Sequence, residues 1–212
     1  MQPTYLPWLG YFDLIKESDI FIILDHVQFS KQSWQQRNKL RNKNGEFILT
    51  VPVKNTSLNN KIRDIKIDHS RQTLKKHFKT IQNNYSKSKN YKKLISEIER
   101  IYAGEYSNLQ ELNIAFIKFG CKHLNINNNI IYSSSLEVKG EKVDALIDIC
   151  KKTNSNQYLS PLGSKVYIEE NNIFEKNNIE LIYQNYQHPT YSQLNYKDFI
   201  SHLSFLDFLF NH

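Results

Sequence analysis

Pro3 and Pro7 bracket the first turn of this chain, with Gln2, Tyr5, Trp8, Gly10 and Tyr11 set around them. Each proline fixes its own φ and pushes the residue before it toward extended geometry, so residues 1–6 are expected to form a stiff extended arm. Pro7 then suits the first turn of a helix in which Trp8, Tyr11, Phe12 and Ile15 share one face. The run Asp19-Ile-Phe-Ile-Ile-Leu-Asp25 follows, apolar and β-branched, with the signature of a buried strand ending in a carboxylate. Arm, helix and buried strand in that order open an α/β unit. Such units bind ligands at helix N-termini and beyond the carboxyl ends of strands.

The rest of the chain keeps that grammar. Asn44-Gly45 between two extended runs is a strong hairpin signal. Residues 62–67 alternate apolar and charged side chains as an edge strand does. Amphipathic helices are expected over residues 71–85, 91–102 and 108–124, and they are assigned to structure. Short strands at 129–135, 157–160 and 180–186 alternate with helices at 140–152, from 165, and at 196–210. Strands separated by helices predict an α/β fold, a mainly parallel sheet flanked by helices with a hairpin and helical insert after the first unit. One domain spanning residues 1–212 is expected, with 39–105 as an inserted lobe.

Composition narrows the class. The chain has 212 residues, enough for one core, and a mean hydropathy of −0.58. No apolar run approaches the ~20 residues of a membrane span, and no secretory leader precedes Gln2, so a cytoplasmic protein is expected. The net charge of +7 asks for an anionic partner. The lysines at 39–43, 75–79 and 87–93 lie apart, however, and read as Lys- and Asn-rich composition more than as a docking face. Walker, GxSxG, paired-acid and metal-ligand patterns are missing, so no metal site is expected.

Four segments place polar or aromatic groups at a helix start or just beyond a strand. They are the arm (Gln2, Tyr5, Trp8, Tyr11), the cluster Asp25, Gln28, Lys31, Trp34, Arg37 and Asn38, the turn Ser160, Gly163 to Tyr167, and His188. One cleft lined by all four is expected, with His188 as general base beside Asp25. His69, His77, His123, His202 and His212 are assigned to the surface.

Gln2-Pro-x-Tyr-x-Pro-Trp-x-Gly-Tyr-Phe, Asp25-x-x-Gln-Phe-x-Lys-x-x-Trp-x-x-Arg-Asn, Tyr158-Leu-Ser and Tyr186-x-His-Pro-x-Tyr-x-Gln193 together resemble the WbqC-like protein family over nearly the whole chain. In that family a short apolar strand precedes the Gln-Pro, whereas this sequence opens on Met1-Gln2. Two readings follow, a start taken late or a sheet without that strand. The resemblance implies bacterial surface-polysaccharide (O-antigen) biosynthesis. It implies transfer of an acyl or aminoacyl group to the amine of a nucleotide-linked amino sugar. Arg37 and Lys31 would hold phosphates, Trp8, Tyr11 and Trp34 would stack on sugar or base, and Gln193 would join the site. ATP, a coenzyme A thioester and an aminoacyl-tRNA all stay open as acyl donor, as does the oligomeric state. The alternative is a non-catalytic nucleotide- or nucleic-acid-binding module, with tRNA among its partners.

Cys121 and Cys150 each fall in an apolar helical pattern without CxxC spacing, which predicts reduced, unbridged thiols. Titration of the denatured protein without reductant should find two free thiols, and finding none would refute this.

Overall fold

The computed structural model describes residues 1–54, 57, 59–168, 172–194 and 198–212, and of residues 166 and 167 the backbone only. Helix α1 (Leu9–Glu17) leads into strand β1 (Ile20–Ile23), and β2 (Arg37–Asn42) turns through Gly45 into β3 (Gly45–Thr50). Helices α2 (Thr73–Tyr85), α3 (Tyr91–Ala103) and α4 (Leu109–His123) follow. Then come β4 (Asn129–Tyr132), α5 (Lys142–Lys152), β5 (Gln157–Ser160), the short α6 (Lys165–Ile168) and α7 (Ile173–Lys176), and β6 (Glu180–Tyr183). Helix α8 (Phe205–Asn211) closes the chain.

The fold is mixed α/β, and its parallel pairing comes in two pieces. β1 pairs parallel with β4, from Ile20 opposite Asn129 to Ile23 opposite Tyr132, and β5 pairs parallel with β6. β2 and β3 form the antiparallel hairpin, with Gly45 at φ 117° in its turn, a conformation that favours glycine. On the other edge of β1 lies Met1, whose nitrogen donates to the Ile22 carbonyl (2.7 Å) while its carbonyl accepts from Leu24 (2.8 Å). That is the bonding pattern of one parallel-strand residue. A groove of about 560 Å³ runs from Met1 between the edges of β1 and β5, which explains why the two pairs stay apart.

The arm is extended only as far as Tyr5. Leu6 has φ 47°, and this left-handed residue turns the chain into α1. The first turn of α1 is roofed by the Trp8 ring. A Cβ on Gly10 would come within 2.1 Å of that ring, so the close approach requires glycine here. Beyond Met1, prolines and a left-handed residue keep the arm out of any ladder, and side chains satisfy the carbonyls of Pro3, Tyr5 and Leu6. The buried Asn113 amide on α4 donates to Pro3 O (3.1 Å) and Gln35 O (2.8 Å). The buried Asn38 amide donates to Tyr5 O (3.2 Å) and Leu6 O (2.8 Å).

The main core joins α1, the hairpin, α2 to α4 and α8. Phe12, Tyr85, Phe116, Phe205 and Phe210 are among its fully buried side chains, each contributing about 1.5–3 kcal/mol on burial. A smaller cluster of Leu146, Ile147, Cys150, Ile168, Phe174 and Ile179 lies under α5 to β6. Cys121 and Cys150 are buried and free.

Three expectations are corrected. Residues 62–67 begin as a 3₁₀ turn, Ile62–Asp64, followed only by single bridges from Lys66 to Asn108 and from Ile67 to Val53. Ile62 and Ile65 are both buried and three residues apart, the repeat of a 3₁₀ turn rather than of a strand. The closing helix is shorter than expected, starting at Phe205, because Ser204 is tied to Lys39 O (2.9 Å) and bridged to Trp8. Its expected start at Tyr196 lies outside the described residues. His77 is buried rather than on the surface. It falls on the inward stripe of α2 with Leu74, Ile81 and Tyr85, and its Nδ1 meets the Tyr5 hydroxyl (2.9 Å). Tyr5 also bonds Tyr102 (2.5 Å), so Tyr5 is a core residue at the hub of this network.

Two measurements test these packing claims. Asn113→Leu keeps the branched shape of the side chain, with somewhat larger volume, but leaves the Pro3 and Gln35 carbonyls without donors, and should cost about 2–4 kcal/mol in urea unfolding. A midpoint that stays put would mean the arm is held some other way. Burial lowers the His77 pKa from 6.5 to about 4, so the native ring is neutral. Its contribution to stability is then full above pH 6.5 and is lost as pH falls from 6.5 through about 4. Unfolding midpoints should drop over that window, and His77→Gln should remove part of the drop.

Candidate functional site

At the carboxyl ends of β1 and β4 the backbone brings Asp25 against a run of three serines. The Asp25 carboxylate accepts from Ser133 Oγ (2.9 Å), Ser134 N (2.8 Å), Ser134 Oγ (2.6 Å) and, more weakly, Gln110 Nε2 of α4 (3.4 Å). Strand β4 stops at Tyr132 because residues 133–136 wind into a 3₁₀ turn that aims these donors at the acid. Burial alone would raise the Asp25 pKa, and the bonds from Ser134, Ser133 and Gln110 outweigh it and hold the carboxyl below its ordinary range. Asp25 is thus a buried, fixed anion.

His26 is the next residue in the chain. Its Nδ1 lies 2.6 Å from Ser133 Oγ, whose proton goes to Asp25. With that hydroxyl already donating, the consistent tautomer has Nδ1–H donating to Ser133 and a lone pair on Nε2. Burial lowers the His26 pKa, opposed by Asp25 and assisted by Lys61 and Arg63. The outcome is a neutral imidazole whose Nε2 is available as an acceptor. The set is no nucleophilic triad, because the hydroxyl lies between acid and imidazole and Ser133 is fully buried.

The arm meets this centre from one side. Met1 pairs with β1, which brings Gln2 alongside, and Gln2 Oε1 accepts from Gln35 Nε2 (2.8 Å). Gln35 Oε1 in turn holds Ser30 N (3.0 Å), and Asn113, one turn along α4 from Gln110, holds Gln35 O. Buried polar atoms without a protein partner gather on the same segments: Thr4 Oγ1, Gln36 Oε1, Arg37 Nε, Gln110 Oε1 and Asn113 Oδ1. Atoms of this kind are few in a folded protein, and ordered water or a bound polar group would satisfy them here. The Arg37 guanidinium stands 6.0 Å over the Trp34 ring, and that ring is 49% exposed. Lys31 is exposed nearby in sequence, and Gln28 bridges to Lys61 across the turn that carries Arg63.

The other expected residues fall into separate settings. Asn38 is buried and serves the arm. Tyr11 is buried in the core against Phe12 and Phe21. Ser160 is buried and spent on Ser164 Oγ (2.5 Å) in a local turn, while Gly163 faces open space. Tyr167 lies on α6, and its side chain is outside the described residues. Gln193 is buried in a network with Arg41 (2.5 Å), the Ile200 carbonyl (2.7 Å) and Asp207 (3.0 Å), which ties the segment before α8 to the hairpin.

His188 sits in an aromatic group with Trp8, Tyr186, Phe199 and His202. It stacks on His202 at 4.6 Å, and His202 also tilts over Trp8 at 5.3 Å. Both ring nitrogens are occupied: Nδ1 meets Tyr186 Oη (3.1 Å) and Nε2 accepts from His202 N (3.2 Å). Burial, with the neighbouring His202, lowers its pKa to about 4. Among the described residues no hydrogen bond joins this group to the Asp25 centre.

Sequence reasoning placed His26 and Gln35 in the Asp25 cluster and Ser133 and Ser134 at a strand end on the same edge without giving them a role, and it passed over Gln110 and Asn113. The signal for His26 was its place directly after the strand-ending acid. Gln110 and Asn113 had none beyond two amides one turn apart on an apolar helix. Among the described residues no helix is long and apolar enough to cross a membrane.

The family profile described as the WbqC-like protein family matches residues 2–212. A curated relative, the uncharacterized protein Rv1507c of Mycobacterium tuberculosis, is 31% identical over 214 aligned residues, covering 100% of this chain and 91% of the relative. No solved structure matches. A match over essentially the full length places the chain in the WbqC-like protein family.

Proposed function

We propose that this protein acts in bacterial surface-polysaccharide (O-antigen) biosynthesis, transferring an acyl or aminoacyl group, glycyl for example, to the amine of a nucleotide-linked amino sugar. The observation that carries this reading is the His26–Ser133–Asp25 chain, which fixes a neutral imidazole with one open nitrogen beside a locked anion. In the proposed step the sugar amine attacks the donor carbonyl and a C–N bond forms. The C–O or C–S bond to the donor breaks. His26 Nε2 takes the proton from the amine and returns it to the departing oxygen or sulfur, while Asp25, through Ser133, stabilises the transient imidazolium. Arg37, Lys31, Lys61 and Arg63 supply cations for the diphosphate, and the exposed Trp34 ring supplies a stacking surface. The orphaned polar atoms along the arm and α4 would meet the sugar's hydroxyls.

Nucleotide-linked amino sugars incubated with each donor class in turn (ATP with glycine, an acyl-coenzyme A, an aminoacyl-tRNA) should give a sugar whose mass has grown by one acyl group. His26→Ala should lower turnover by about 100-fold or more with substrate binding retained. Arg37→Ala should weaken binding by ~1.5–3 kcal/mol, the worth of a charge-assisted bond. Should His188→Ala abolish turnover while His26→Ala leaves it intact, the base is His188. Absence of product with all three donors, together with no thermal stabilisation by any nucleotide sugar, would overturn the proposal.

A further inference from the structure

The chain carries 28 Lys and Arg against 21 Asp and Glu, and that excess is not spread over the fold. Residues 69–96 hold Arg71, Lys75, Lys76, Lys79, Lys87, Lys89, Lys92 and Lys93 and no acidic residue. The remainder is left with 20 basic residues against 21 acidic ones, close to neutral. Although the lysines look scattered in sequence, they fall on α2, on the α2–α3 turn and on the first turn of α3, ahead of Glu97 and Glu99 further along that helix. Helices α2 and α3 pack on each other and turn Leu74, His77, Ile81, Tyr85, Leu94 and Ile98 inward, and all eight cations are exposed. None of the eight pairs with an Asp or Glu side chain among the described residues. Lys89 donates to His212 O (3.0 Å) and Arg71 lies in the field of Asp68, while the like charges gathered along the rest of this stretch cost stability that an anionic partner would recover.

A second observation says what kind of anion fits. At the α2–α3 turn an open cavity of about 770 Å³ is lined by Lys87 and Lys89, by Asn83 and Asn84, and across from them by Asn42 and Lys43 of the hairpin. No acidic side chain lines it among the described residues. Lysines with amide side chains around a concave surface match a sugar–phosphate backbone, where Asn and Lys bond phosphate oxygens and ribose hydroxyls. A lipid surface fits less well, because membrane-binding faces also insert large apolar side chains. The most exposed ones here, Trp34, Ile48, Leu162 and Phe199, all lie outside residues 69–96.

We propose that the outer face of α2 and α3, continued into this cavity, binds the phosphate backbone of RNA. The assignment rests on charge distribution and cavity lining, and it holds whether or not the transfer reaction proposed above is correct.

Fluorescence anisotropy with a labelled RNA hairpin of mixed sequence tests it on the full chain. Affinity should fall steeply with salt, with a log–log slope of roughly −3 to −5 for about four to six phosphate contacts. Replacing Lys75, Lys76, Lys79 and Lys87 together by Gln should weaken binding by about 30-fold or more and flatten that slope. The control replaces four exposed lysines elsewhere, Lys16, Lys66, Lys118 and Lys176, which should leave affinity within about threefold. Equal loss in both quadruple variants would reduce the effect to net charge and overturn the proposal. So would equal affinity for DNA of the same sequence, or tighter binding to phosphatidylglycerol vesicles through the same four lysines. Urea midpoints of both variants, expected to match the parent, separate lost binding from lost folding.

Discussion

A proline-broken arm runs through the middle of this protein, and its carbonyls must find donors away from any ladder. Two buried amides supply them. Asn113 of α4 and Asn38 of β2 each make two bonds to backbone carbonyls, and three of the four acceptors, Pro3 O, Tyr5 O and Leu6 O, belong to the arm. An unpaired buried carbonyl costs as much as a lost core contact, so these bonds decide where α1, α4 and the hairpin sit relative to one another. The aromatic packing around Phe12, Phe116 and Phe205 strengthens that arrangement without defining it, because apolar contacts are non-directional.

The Asp25 centre inherits its geometry from the same joint. α4 reaches Asp25 through Gln110 and the arm through Asn113, one turn later, so a shift of the arm would be felt at the acid. The parallel pairing of β1 with β4 adds the serines from the other side. In this arrangement a carboxylate is kept ionised by neutral donors, while the imidazole next to it is kept neutral by burial and by two flanking cations. Both shifts run downward, so two groups adjacent in sequence are both deprotonated near neutral pH, one as a fixed anion and one as a neutral base.

Local rules explain what could be read from the chain alone. Asn44-Gly45 named the hairpin, stripes such as Leu74, Phe78 and Ile81, beside which His77 also turns inward, named the helices, and alternating short runs gave the parallel order. His77 was misplaced because its residue type outweighed its position beside that stripe. The segment before Phe205 reads as helix in isolation, but its backbone is claimed by Lys39, by Trp8 and, through Asp198 O, by Arg41. Tyr5, Ser160 and Gln193 carry polar tips that suggest a site, yet burial turns each toward an internal partner. Tertiary pairing of that kind leaves no trace in spacing.

The place of α8 has a consequence for synthesis. Phe205 and Phe210 complete a core begun by Phe12, and Asp207 closes a network with Tyr85 and Tyr191 (2.7 and 2.9 Å). The elements they cover leave the ribosome well before them. At about 5–20 residues per second, roughly ten to thirty seconds separate the hairpin from its last neighbours. Throughout that interval Phe12, Tyr85 and Phe119 lack the rings that cover them in the finished fold. Local folding of the earlier elements can therefore precede the closing of this face, which waits on residues about 120–190 positions beyond Tyr85 and Phe12 along the chain.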